Sequence, residues 1–181
     1  MSETKMTKEK GLAFLKAHQP MPDTMDLDID YSELIDQWEE VREYFEENPC
    51  LEAIPLFLNS FGDSCGYNVY EFFYHNLKKF PPEQVVPYLV EALKSPLDHI
   101  RELAALFSTE IDSGDPSYIE ALIGNLDDEN EDTRSSVCME LAFLSEHNYF
   151  DWRMYEKRLR ELAEQEKDDD ILDDYKTIFE S

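Results

Sequence analysis

Histidines, cysteines and an excess of carboxylates are the side chains of this chain that could do chemistry. His18, His75, His99 and His147 stand apart, with no HxxxH, HxH or Glu-x-x-His pattern to put two ligands on one helix face. Cys65 lies beside Gly66 in a turn, and His75, ten residues on, is too distant along a helix to serve as its base. Cys50 and Cys138 complete an odd, scattered set. Such cysteines read as reduced thiols of a cytoplasmic protein, and Cys138 reads as a small packing residue. Asp26-x-Asp28-x-Asp30 imitates the opening of a calcium loop. Tyr31 then occupies the sixth position, where Gly is needed, and Gln37 the twelfth, where a bidentate Glu is needed. The acidic run Asp127–Asp132 reads as a solvated turn. With no GxGxxG, P-loop or nucleophile elbow, the chain is expected to be non-enzymatic, without cofactor or metal.

Charge is a stronger signal. Sixteen basic residues face 42 acidic ones, a formal net charge of −26. Nucleic-acid phosphate is held chiefly by Lys and Arg, so this surface repels it, and anionic lipid as well. Neither nucleic acid nor membrane is an expected partner. A partner selected by charge is a basic protein. The acid is unevenly spread: twelve acids oppose Arg42 alone between Asp23 and Glu52, and nine acids meet no Lys or Arg between Glu110 and Asp132. Seven more face only Lys167 between Glu164 and Asp174, while bases gather at Lys5–Lys16 and Arg153–Arg160. The start of the chain has no apolar stretch followed by a small-residue cleavage site, so no secretory signal is expected.

The elements that must position these residues read as helices. Thr7–Ala17 carries Leu12, Phe14 and Leu15, and Met21–Asp30 is an acidic linker without periodicity. Ser32 is the expected cap of a helix bearing Leu34, Ile35, Trp38, Val41, Arg42 and Phe45, which Pro49 stops at Asn48. Helices are expected over Cys50–Phe61 and Asn68–Phe80, either side of a turn at Gly62–Gly66. Pro81-Pro82 opens Glu83–Lys94, and Asp98 caps Asp98–Ile111. Ser113-Gly114-Asp115-Pro116 separates that helix from Pro116–Leu126. Asp132–Glu146, Tyr149–Glu166 and Ile171–Glu180 follow.

Two of these stretches repeat each other. Leu93 to Leu106 recurs 33 residues later as Leu126 to Met139, each copy closing one amphipathic run on Leu and opening the next with an Arg on its first turn. A period of about 20–50 residues marks a unit that buries its apolar face only by stacking on neighbours. Helix pairs group as Cys50–Phe80, Glu83–Asp112 and Pro116–Glu146, with Tyr70 in the first pair where the others have Arg101 and Arg134. The expected fold is all-α: an α-solenoid of stacked antiparallel helix pairs with atypical capping helices. Residues 1–30 form an N-terminal helix and linker, and residues 31–181 a single domain.

Leu93, Ile100, Arg101, Ala104 and Ala105, with a weaker copy at Thr133, Arg134, Val137 and Cys138, resemble the HEAT-repeat family over about residues 50–146. The resemblance implies that the second helix of each pair lines a concave face. It also implies that Arg101 and Arg134 steady the stacking through a nearby acid, for which Asp98 and Asp132 are available. A projection at about 100° per residue puts Ile100, Ala104, Phe107 and Ile111 on the core side. Glu102, Leu106 and Thr109 then face outward, Ser135 and Met139 follow in the next copy, and Glu71 and His75, with Lys78, in the preceding one. This ladder is the expected partner-binding surface.

Within that frame a protein-binding module is the expected function. HEAT-like immunity proteins suggest an acidic inhibitor that covers the cationic cleft of a basic protein, and a scaffold for a cellular complex is the other form of the same class. HEAT-like chromophore lyases suggest an enzyme instead, but Glu71, His75 and Glu102 are the only candidate polar groups on the second helices.

Overall fold

The computed structural model describes residues 6–22, 30–62, 69–111 and 114–181, and for Ser108 and Thr109 the backbone alone. Among the described residues every regular element is helical and no strand occurs. The chain divides into two compact units, Met1–Tyr88 and Leu89–Ser181.

The first unit holds α1 (Lys8–Ala17), α2 (Ser32–Glu47), α3 (Ile54–Leu58), α4 (Tyr74–Leu77) and the start of α5 (Pro82–Ala92). Helix α1 begins where the Thr7 hydroxyl accepts from the Lys10 N–H, and it packs on α2 and α3. Gly11 makes that approach possible, since a Cβ there would stand 2.7 Å from Phe45 Cε2. Trp38 is fully buried and meets Phe57 and Tyr70 edge-on, at ring separations of 5.4 and 5.0 Å. Its indole N–H donates to Ser60 Oγ at 2.8 Å, and the Met21 N–H donates to the Ser60 carbonyl at 2.9 Å. Tyr70, expected from the sequence to stand in the arginine's place, is a core residue.

Several boundaries differ from the sequence expectation. Ser32 is the first residue of α2 rather than its cap, because Asp30 Oδ1 accepts the Ser32 N–H and the helix bonds begin at Tyr31. The expected helices Cys50–Phe61 and Asn68–Phe80 are each a 3-10 turn, Leu51–Ala53 and Tyr70–Phe73, running into the short α3 and α4. Gly62 lies in the described part of the intervening turn, while Cys65 and Gly66 fall outside the described residues.

The second unit holds the rest of α5, then α6 (Asp98–Leu106), α7 (Ser108–Ile111), α8 (Pro116–Gly124), α9 (Glu131–Glu146), α10 (Glu156–Ala163) and α11 (Asp169–Glu180). Its centre is α9, which packs against α6, α7, α8 and α11. Enclosure explains why α9 lacks a one-sided apolar pattern: Thr133, Val137, Cys138, Glu140, Leu141 and Ser145 are all buried. The single helix expected over Asp98–Ile111 is broken at Phe107. The Tyr118 hydroxyl donates to the carbonyls of Ala104 (2.6 Å) and Ala105 (3.3 Å), engaging acceptors a continuous helix would use. Asp115 and Asn130 cap α8 and α9 through their side chains. Asn148, at φ 60°, ends the turn after α9, and the Tyr149 and Phe150 N–H groups both return to the Leu144 carbonyl. The next segment restarts as a 3-10 turn, Trp152–Tyr155, ahead of α10.

Candidate partner-binding face

The two repeat arginines organise the second unit. Arg101 forks onto Asp128, with Nε 2.7 Å from Oδ2 and Nη2 2.8 Å from Oδ1, and its Nη1 donates to the Ser95 carbonyl at 2.8 Å. Arg134 repeats the arrangement. Its Nε donates to Glu166 Oε2 at 2.8 Å and its Nη1 to the Asp128 carbonyl at 2.9 Å. Asp128 thus belongs to both sets, accepting one arginine through its carboxylate and the next through its backbone. The expected partners, Asp98 and Asp132, are not the ones used. Asp98 is the first residue of α6, not its cap; Oδ1 accepts the His99 N–H and Oδ2 accepts Asn130 Nδ2 at 3.0 Å. Each arginine instead reaches forward to an acid in a later loop.

The charges respond accordingly. Burial works to raise the Asp128 carboxyl, but hydrogen bonds from Arg101 and the Asn130 N–H outweigh it and hold the group below the usual carboxylate range. The Arg134 guanidinium, with the N–H groups of Lys167 and Asp168, brings Glu166 down to about 2. Beside this ion pair Leu126, Asp127, Leu162 and Lys167 line a cleft of about 450 Å³. The acidic turn at Asp127–Asp132 is therefore partly structural, since Asp128 is committed to Arg101 and Asn130 to the cap of α9.

The ladder residues divide between the units. In the first unit Glu71 is exposed. His75 is half-buried, its ring 4.0 Å from that of Tyr74, over which Lys78 Nζ stands at 4.6 Å. In the second unit Ile100, Ala104, Phe107 and Ile111 are buried. Glu102, Leu106 and Ser135 are half-buried, and Met139 is 46% exposed. The Thr109 side chain falls outside the described residues. Glu102 on α6 and Asp132 on α9 are close enough to repel: burial first, then Asp132 and Asp98, push the Glu102 carboxyl up. Asp174 on α11, which sequence reasoning did not single out, is raised in the same way by burial and by Asp170 and Asp173.

Cys138 faces α11, with Sγ 3.8 Å from the Ile171 carbonyl, and burial together with Asp174 and Glu166 pushes its thiol far above the ordinary range. A thiol held protonated in this way is a packing group, not a nucleophile. Among the described residues no three His, Cys, Asp or Glu side chains are grouped to hold a metal ion, and no helix is long and apolar enough to cross a membrane. In the first unit sequence reasoning missed the role of Arg42. It is 5% exposed and pairs with Glu39 (2.8 Å) and Glu46 (2.6 Å) on its own helix. Glutamates at i−3 and i+4 were a readable signal for it. No known family model matches this chain, and no curated protein matches it.

Proposed function

We propose that the chain is a non-enzymatic protein-binding module, built as a HEAT-like α-solenoid in the cytoplasm, that neutralises a basic protein in the manner of an inhibitor or immunity protein. The linked arginines carry the structural half of this reading. Arg101 and Arg134 make the same forward fork and the same backward bond to a carbonyl six residues earlier, as successive repeats would. The functional half rests on where the unopposed charge lies. These arginines are spent on Asp128 and Glu166, so the net charge of −26 falls on the remaining surface, where it speeds and selects encounter with a cationic partner.

The test is a tagged pull-down from the native cell's lysate at about 50 mM and about 500 mM salt. One basic protein, stoichiometric at low salt and lost at high salt, is the expected result. Exposed Phe72 (47%), Met139 and Met154 (77%) favour a second reading, a scaffold with apolar contacts. Its mark would be a salt-resistant partner of ordinary charge. No stoichiometric protein at either salt would overturn both.

A further inference from the structure

The exposed stripe of α9 is one face, with acids on two of the helices packed against α9. At about 100° per residue Asp132, Ser135, Met139 and Glu146 fall within one narrow arc, opposite the buried Val137, Leu141 and Leu144. Against α9 packs α6, whose Glu102 feels Asp132 of α9. So does α11, whose Asp174 acts on Cys138 of α9. Both carboxylates, Glu102 and Asp174, are half-buried, and among the described residues neither makes an ion pair or hydrogen bond. Their neighbours contrast with them: Asp128 and Glu166 have arginines, and Asp173 has Lys176 Nζ at 2.5 Å. The stripe itself carries no Lys or Arg. At its centre Met139, unbranched and adaptable, is the apolar residue most available for contact.

Resting on the reading that the partner is a basic protein, we infer that it docks on this α6–α9–α11 face, an apolar side chain on Met139 and Lys or Arg side chains against Glu102 and Asp174. Like charges held together in partial burial are costly, and a cation from outside relieves that cost in a way a fully hydrated surface carboxylate cannot offer. The face therefore selects spaced cations around an apolar residue rather than a bare polycation. A short amphipathic helix with Lys or Arg three or four positions from a Leu has that form.

The probe is a Leu/Lys amphipathic helical peptide titrated into the ¹⁵N-labelled full chain at about 150 mM salt. Saturable shifts are expected at the amides of Glu102, Leu106, Ser135, Met139 and Asp174. The double variant Glu102→Gln, Asp174→Asn should weaken binding at least about fivefold, and Met139→Gln by a similar factor. The control Glu33→Gln, Asp36→Asn removes two exposed acids of α2 and should change affinity by less than about twofold. Equal loss in control and double variant, or shifts centred on other acidic runs, would overturn this face and leave the basic-partner reading standing. No saturable binding to the unaltered chain would overturn both. Neither substitution of the double variant should unfold the unit, since each removes a mutually repelling charge.

Discussion

Arg134 and Glu166 lie 32 positions apart and form the second of the two arginine pairs, with Nε 2.8 Å from Oε2 and the Glu166 side chain only 8% exposed. The two members of the pair are not equivalent. Among the described residues Glu166 has the arginine as its only cation, while Arg134 also bonds the Asp128 carbonyl. Arg134→Met is therefore expected to cost about 2–4 kcal/mol, and Glu166→Gln about half as much. Arg134→Lys should fall near the Met variant, because an ammonium cannot serve the carboxylate and the carbonyl with one planar fork. Urea unfolding of the three variants checks the order.

Acid should weaken the second unit through this pair and strengthen it through another. Glu166, held at about 2, contributes stability that is present above the unfolded glutamate value and is lost as pH falls from about 4.3 toward about 2, on the order of 1–3 kcal/mol. Glu102 has the opposite sign. Its raised carboxyl means the folded state binds the proton more tightly, so its penalty is absent in acid and grows as pH rises past the unfolded value. Glu102→Gln should thus be more stable than the unaltered chain at about pH 7 and indistinguishable at about pH 3.5. Denaturant midpoints at the two pH values decide it.

In the first unit Asn76, 2% exposed, donates Nδ2 to the Arg42 carbonyl at 2.9 Å and so ties α4 to α2. Asn76→Ala is expected to cost about 1–2 kcal/mol. Asn76→Asp should cost more, since it sets a buried charge against a carbonyl with no donor between them. An aspartate variant as stable as the alanine one would refute this account.

Cys138 should behave as a clock for separation of α9 from α11. In a chain carrying Cys65→Ser, an aromatic disulfide reagent is expected to label half-exposed Cys50 at least about a hundredfold faster than Cys138, whose labelling must await opening. Mild denaturant should bring the two rates together.

Helix content and most helix positions were legible because period-3.6 patterns and Pro or Gly punctuation are local signals. Pro49, Pro82 and Asp115-Pro116 mark real boundaries. The break at Phe107 was not legible, because its cause is the hydroxyl of Tyr118, thirteen and fourteen residues beyond the carbonyls it takes. The arginine partners were hidden for a related reason. Asp128 lies 27 residues beyond Arg101 and Glu166 lies 32 beyond Arg134, so loop length breaks the fixed spacing a motif would need. Asp174 was obscured by abundance, since nothing local sets it apart from Asp173 beside it. The two differ in burial, and burial depends on where α11 meets α9.

Because α9 is enclosed by four helices, its rotational phase is common to every contact the second unit makes around it. One extra residue after Val137 would turn everything beyond by about 100°, carrying Met139 off the outer stripe and Leu141 and Leu144 out of the interior at once. The same insertion between Glu164 and Asp168, outside regular helix, would disturb the Arg134–Glu166 pair and the entry to α11 but would turn no part of a helix against the rest of it. Length is thus a far stricter constraint within α9 than residue identity is along its exposed stripe.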